Sequence, residues 1–266
     1  MSLRINNNVD AVQAHRHLSA TSDAVSKSME RLSSGLRINK AADDAAGLGI
    51  SEKMRSQIRG LAQAQRNIQD GVSMVQTAEG NLDEVHSILQ RIRELAVQYR
   101  NGSLSTAGKN AIQSEVDQLS AEITRIGNAA VFNGVSLLSA STTVTFQVGA
   151  NDNETISISF SSLATAVGSA YSNMATASLA AIDAAVDAVT QMRSGLGAVQ
   201  NRLDHALSVT GIYQENLTSA ESRIRDVDMA EEMVNLTKNQ ILQQAGTAML
   251  AQANQAPQSV LSLLRG

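Results

Sequence analysis

The chain has 266 residues, a net charge of −4, no cysteine, one proline and six aromatic residues, three Tyr and three Phe. The mild acidic balance argues against nucleic acid as the main partner, and the lack of cysteine excludes a disulfide frame, a thiol nucleophile and a thiolate metal site. So few aromatics and a single proline predict long uninterrupted helices packed through Ala, Leu, Ile and Val.

The N-terminus, Met-Ser-Leu-Arg-Ile-Asn-Asn-Asn, has no apolar h-region and no small-residue cleavage site, so no Sec-type signal peptide is expected. The first 40 residues read as a helix with a seam at Ala11, Ala14, Leu18, Thr21, Val25, Met29, Leu32 and Leu36. Six basic residues (Arg4, Arg16, Lys27, Arg31, Arg37, Lys40) against three acidic ones (Asp10, Asp23, Glu30) give this segment +3.

The clearest pattern runs from about Asp44 to Tyr99. Leu61, Ile68, Val75, Leu82, Leu89 and Ala96 recur every seven residues, a heptad seam. A continuous helix from Met54 to Tyr99 has 46 residues and measures about 69 Å. A compact domain of this chain length is only about 47 Å across, so the expected shape is a rod. Asn101-Gly102-Ser103 is a turn, and Ser105 is placed to cap a third helix with apolar positions Ile112, Val116, Leu119, Ile123 and Ile126.

The period then changes to two. Val144, Phe146 and Val148 alternate with Thr143, Thr145 and Gln147, and Ile156, Ile158 and Phe160 alternate with Ser157 and Ser159. This predicts a β-hairpin over roughly 142–160. Heptads resume at Leu179, Ile182, Val186, Val189, Leu196, Val199, Leu203, Ala206, Thr210, Tyr213 and Leu217, a second long helix able to pack antiparallel on the first.

A break at Ser222–Asp228 follows, with Asp228 and Glu231 spaced as a capping box. Beyond it, Asn239 to Leu264 contains no charge at all. Gln and Asn interrupt the run too often for a membrane span, which needs roughly 18 or more apolar residues. A solvated helix would carry Lys and Glu on its outer face. The run therefore reads as a helix enclosed by other protein, with too few large apolar residues to offset its own ordering entropy. The fold class expected is mostly α: an elongated rod of long antiparallel coiled-coil-like helices, a small β-hairpin, and paired terminal helices.

No catalytic, cofactor or metal constellation emerges. His15 and His17 point about 200° apart on a helix, and His86 and His205 are isolated. Asp43-Asp44 and Asp226/Asp228 sit at predicted helix starts, where capping and the helix dipole account for them. Gly195-Leu-Gly197 lies in a helical seam and is no phosphate loop.

Three stretches together resemble bacterial flagellin. They are Arg31-Leu-Ser-Ser-Gly-Leu-Arg-Ile-Asn39 with Asp43-Asp-Ala-Ala-Gly-Leu-Gly-Ile-Ser-Glu-Lys-Met54, then Gln90-Arg-Ile-Arg-Glu-Leu-Ala-Val-Gln98, then the end from Gln240 to Arg265. The resemblance covers about 1–139 and 176–265. Two departures are visible: Met229 stands where the family commonly has Tyr, and Gly266 follows the usual terminal Arg.

The resemblance implies a minimal, non-enzymatic filament subunit without large outer domains. Residues 1–42 and 222–266 would form the inner domain, and 43–221 the rod domain with a hairpin region at about 131–165. The terminal helices would fold on assembly. The implied polymerisation and chaperone face is Leu18, Val25, Leu32, Ile241, Leu242, Ala245, Met249, Leu250, Val260, Leu261 and Leu264. Implied partners are further copies of the chain in a helical homopolymer, an export chaperone on the C-terminal helix, and flagellar cap and junction proteins. No nucleic acid, membrane or cofactor is implied.

Export would follow the flagellar type III route to an extracellular filament. By the same resemblance, Arg91 and Leu95 of the Gln-Arg-x-Arg-Glu-Leu motif, with Glu115, would contact Toll-like receptor 5. O-linked sugars would fall on Ser139, Ser141, Thr142 and Thr143. The metallopeptidase insertion of some flagellins is absent, since no His-Glu-x-x-His occurs. Two alternatives stay open: the hook–filament junction protein, against which the C-terminal motif argues, and a helical signalling module.

Overall fold

The computed structural model describes residues 8–169 and 171–265, the side chains of 256–265 excepted. Its elements run α1 (Val9–Ser34), α2 (Ala45–Tyr99), α3 (Thr106–Ala129), β1 (Val131–Phe132), β2 (Val135–Ser136), β3 (Thr142–Gln147), β4 (Thr155–Phe160), α4 (Leu163–Val167), α5 (Leu179–Arg225) and α6 (Met229–Arg265). The chain divides into two compact units, Met1–Arg55 with Leu217–Gly266, and Ser56–Asn216. The boundaries fall inside α2 and α5.

The second unit is built on the heptads. Leu61, Ile68, Val75, Leu82, Leu89 and Ala96 of α2 are all buried, as are Ile112, Val116, Ile123 and Ile126 of α3. On α5 the buried positions Ile182, Val189, Leu196, Leu203 and Thr210 again recur every seven residues. The 44 residues of α2 in this unit span about 66 Å, against about 40 Å for a compact globule of its size. The unit is therefore elongated. Helices α2 and α5 run antiparallel, with polar ties at Arg93–Asp183 (2.6 Å), Arg193–Asp83 (2.9 Å) and Gln65–Gln214 (2.8 Å).

One expected seam position fails: Tyr213 is exposed. At that end α5 packs on α2 beside the Gln65–Gln214 contact, and a two-helix contact covers only a narrow stripe.

The hairpin forms with Thr142 opposite Phe160 and Gln147 opposite Thr155. Ile156, Ile158 and Phe160 face the core, while Thr143, Thr145, Ser157 and Ser159 form a hydroxyl-bearing outer face. A second, shorter hairpin, β1–β2, precedes it. It turns through Asn133 (φ 45°) and Gly134 (φ 80°), the positive-φ pair a primed two-residue turn requires.

In the first unit α1 and α6 pack antiparallel. The Asn8 side-chain amide donates to the Ala253 carbonyl (2.8 Å), and Arg31 meets Glu232 at 3.4 Å. Helix α1 stops at Ser34, where Gly35 takes the left-handed conformation (φ 71°) and donates to the Arg31 carbonyl. Asp228 caps α6, its carboxylate accepting from the backbone of Ala230 and Glu231 (2.9 and 3.1 Å).

The two linkers pair with each other. Arg37 N–H donates to the Arg225 carbonyl (2.6 Å), and Val227 N–H to the Gly35 carbonyl (3.1 Å). Around this bridge Arg225 binds Glu52 (2.5 Å), and Lys27 binds Asp43 (2.7 Å).

Candidate functional site

Two surfaces carry the functional expectations. The first is the α1–α6 pair. On α1 the inward positions are Ala11, Ala14, Leu18, Thr21, Val25, Ser28 and Leu32, a strict three–four alternation. Met29, expected in this seam, is exposed, and Ser28 is buried instead. The reason is geometric: 14, 21 and 28 fall seven apart, as do 11, 18, 25 and 32, and Met29 fits neither series. On α6 the inward series is Glu232, Leu236, Asn239, Gln243, Gly246, Leu250 and Ala253.

This divides the expected polymerisation face in two. Leu18, Val25, Leu32 and Leu250 lie half-buried in the seam within the chain. Within the chain they pack along the helix pair, because a two-helix pair spends its heptad stripe on itself. Ile241, Leu242, Ala245 and Met249 are exposed on α6. With Val234 they form an outward apolar stripe, in which Val234, Met249 and Ile241 are 68%, 64% and 61% exposed. The expected contacts at Val260, Leu261 and Leu264 lie outside the described side chains.

Sequence reasoning missed Glu232, which is only 6% exposed and faces Arg31. Its place in the heptad series with Leu236, Asn239 and Gln243 was the available signal.

The second surface lies on α2 and α3. The Arg91 guanidinium donates through Nε and Nη2 to Glu115 (3.1 and 2.9 Å) and through Nη1 to Glu94 (3.1 Å). These bonds, Glu115 first, strengthen its hold on its proton. All three side chains are exposed. Leu95 is not part of this patch. It is 2% exposed and belongs to the core, so its expected role as a receptor contact is corrected. Four positions beyond Arg91 on an ideal helix is 40° round the axis, which turns Leu95 into the core cluster.

No group of three His, Cys, Asp or Glu side chains able to hold a metal ion occurs among the described residues, and no helix among them is long and apolar enough to cross a membrane. A groove of about 520 Å³ between β4 and α5 is lined by residues such as Ser157, Ser159, Phe160, Gln191 and Leu196. Its lining carries no charge, so it offers no acid, base or ion pair for chemistry.

Comparison with known proteins agrees with this picture of long terminal helices and no reactive centre. The family model for the bacterial flagellin N-terminal helical region matches residues 5–143, and that for the C-terminal helical region matches residues 179–264. The chain is similar to a flagellin of Halalkalibacterium halodurans, 53% identical over 98% of this chain and 99% of that one. It is also similar to the flagellar filament 33 kDa core protein of Treponema phagedenis, 50% identical over the same shares. Among solved structures, a Bacillus cereus flagellin aligns with TM-score 0.50 and 28% identity, covering 54% of this chain and 88% of that one. The chain belongs to the bacterial flagellin family, structural subunits of the flagellar filament and not enzymes.

Proposed function

We propose that this subunit enters the filament by burying the outward stripe of α6 against neighbouring copies. The observation that carries the proposal is the exposure of Val234, Ile241, Leu242 and Met249 on a helix already packed on its opposite face by α1. Large apolar side chains in a row cost solvation wherever water reaches them, and each that is fully buried contributes about 1.5–3 kcal/mol. In this reading residues 1–42 and 222–266 form the inner domain and 43–221 the rod. The terminal helices complete their folding on assembly.

Before assembly the same stripe is the surface an export chaperone would cover, and after it the filament end would meet cap and junction proteins. Export by the flagellar type III route belongs to the same proposal. Recognition by Toll-like receptor 5 would rest on the exposed Arg91–Glu115 pair, with Leu95 supporting the helix from beneath.

The test is to polymerise the purified chain with and without residues 229–266. Filaments are expected only from the full chain, and filaments of normal length from the truncated one would refute the proposal. Hydrogen exchange sharpens it: the segments 1–40 and 239–264 should exchange freely in dilute monomer and become protected in filaments.

A further inference from the structure

We infer that the Arg31–Glu232 pair is the register determinant of the α1–α6 helix pair, selecting one alignment among several that the seam alone would accept. The inference rests on the filament reading, because only a correctly aligned pair presents the same outward stripe in every subunit.

The seam is weakly specific by composition. Among its described positions most are Ala, Gly, Ser, Thr, Asn or Gln, and the large apolar residues among them are Leu18, Val25, Leu32, Leu236 and Leu250. A heptad seam maps onto itself when one helix slides by seven residues, so apolar matching does not distinguish the registers sharply. The linker bridge anchors one end of the pair through backbone groups of Gly35, Arg37, Arg225 and Val227, of which Gly35 is tied to its residue type by its positive φ; side-chain matching has to hold the rest of the seam in line with it.

Side-chain charge is what differs between registers. Among the described inward positions of the two helices, Glu232 is the acidic one, and its side chain is 8% exposed. In the observed register it faces Arg31, whose charge sits in the last turn of α1. Sliding α6 by seven residues one way sets Glu232 against Ala24 and Val25. Sliding it the other way carries Glu232 past Gly35 and leaves Arg31 beside Asn239. Either slip buries a carboxylate without its cation or strands the cation, and removing one member of a buried pair is far costlier than the pair itself is favourable. A single polar contact in an otherwise apolar or neutral seam acts in this way to fix register.

The remainder of the pair follows from this fixed end. In the observed register a Cβ on Gly246 would lie 3.9 Å from the Cβ of Leu18, and Asn8 reaches the Ala253 carbonyl.

The chain has no cysteine, so introduced pairs report register cleanly. Leu18→Cys with Gly246→Cys has the Cβ separation a disulfide needs. Leu18→Cys with Ala253→Cys, and with Asn239→Cys, report the two slipped registers. Each pair is placed in the full-length chain, in filaments, on four backgrounds: unchanged, Glu232→Gln, Arg31→Gln, and the exchange Arg31→Glu with Glu232→Arg.

We expect the 18–246 link to dominate in the unchanged background. Each single variant should lower the ratio of native to slipped link by roughly tenfold, and the exchange should restore it. The helix-dipole cost of the exchanged charges acts equally in every register, so it cancels from the ratio. An unchanged ratio in both single variants overturns the inference, as does an exchange that restores nothing. Polymerisation of the chain without cysteines is scored separately, so a failure of the filament reading is not confused with a failure of the register assignment.

Discussion

Both units present heptad-patterned helices, yet they finish differently. In Ser56–Asn216 every α2 heptad position from Ile68 to Leu89 is fully enclosed, because α5, α3 and, near Asn67 and Gly71, the β3–β4 hairpin supply further walls. In the terminal unit the described part of α6 packs on α1, and apolar side chains on its far side stand in water. The same period thus yields a closed core where more than two elements meet and an open face where two helices do. A sequence period specifies a stripe, and the number of neighbours decides whether the stripe is filled.

The sharpest break of this comparison is a core truncation. Leu89→Ala removes a fully enclosed side chain of the three-helix core and should destabilise the isolated chain by about 2–5 kcal/mol, seen as a lower denaturation midpoint. The matching change on the open face, Ile241→Ala, should leave the monomer midpoint within about 0.5 kcal/mol. In filaments it should forfeit burial worth about 1.5–3 kcal/mol per subunit, which raises the critical concentration roughly tenfold or more. Equal monomer effects from the two variants would erase the distinction between the regions.

The linker clasp offers a pH test. The Lys27 ammonium and the backbone N–H groups of Lys40 and Asn39 hold the Asp43 carboxyl at about 2, against 3.8 for the free side chain. A depressed folded-state value means that this contribution is fully present above about pH 4 and is lost as pH falls toward 2. Asp43→Asn should therefore weaken the terminal unit of assembled filaments at neutral pH and flatten their acid response between pH 4 and 2, followed by circular dichroism.

The smallest effect lies inside the two-helix seam. A Cβ on Gly246 would meet Leu18 at 3.4 Å, ordinary contact. Gly246→Ala should thus stabilise α6 by about 0.5–1 kcal/mol through helix propensity, read as slower exchange in filaments. Arg91→Ala belongs at the same end of the scale for stability, since its ion pairs are exposed. Its sizeable expected effect is on receptor activation in a reporter-cell assay.

Much of this was legible beforehand where periodicity was strong. The heptads of α2, α3 and α5, the Ser105 and Asp228 caps and the β3–β4 hairpin all stand where their residues predict. The β1–β2 hairpin went unread, although Asn133-Gly134 between Val131 and Val135 is its ordinary signal. Met29, Tyr213 and Leu95 were misplaced for one shared reason. Each lies within one residue, or at the end, of a seam, where a rotation of about 100° per residue makes local spacing ambiguous.

By itself the sequence determined the helices, their breaks, the hairpin alternation and the chemical class of the chain. These follow from local propensity and period, which act over a few residues. Only the tertiary structure decided which of two adjacent positions faced inward, that Leu95 supports the core, and that Glu232 meets Arg31 across 201 residues of chain. Those outcomes depend on which helix lies alongside and how it is rotated, and one helix's own pattern does not encode its neighbour's position.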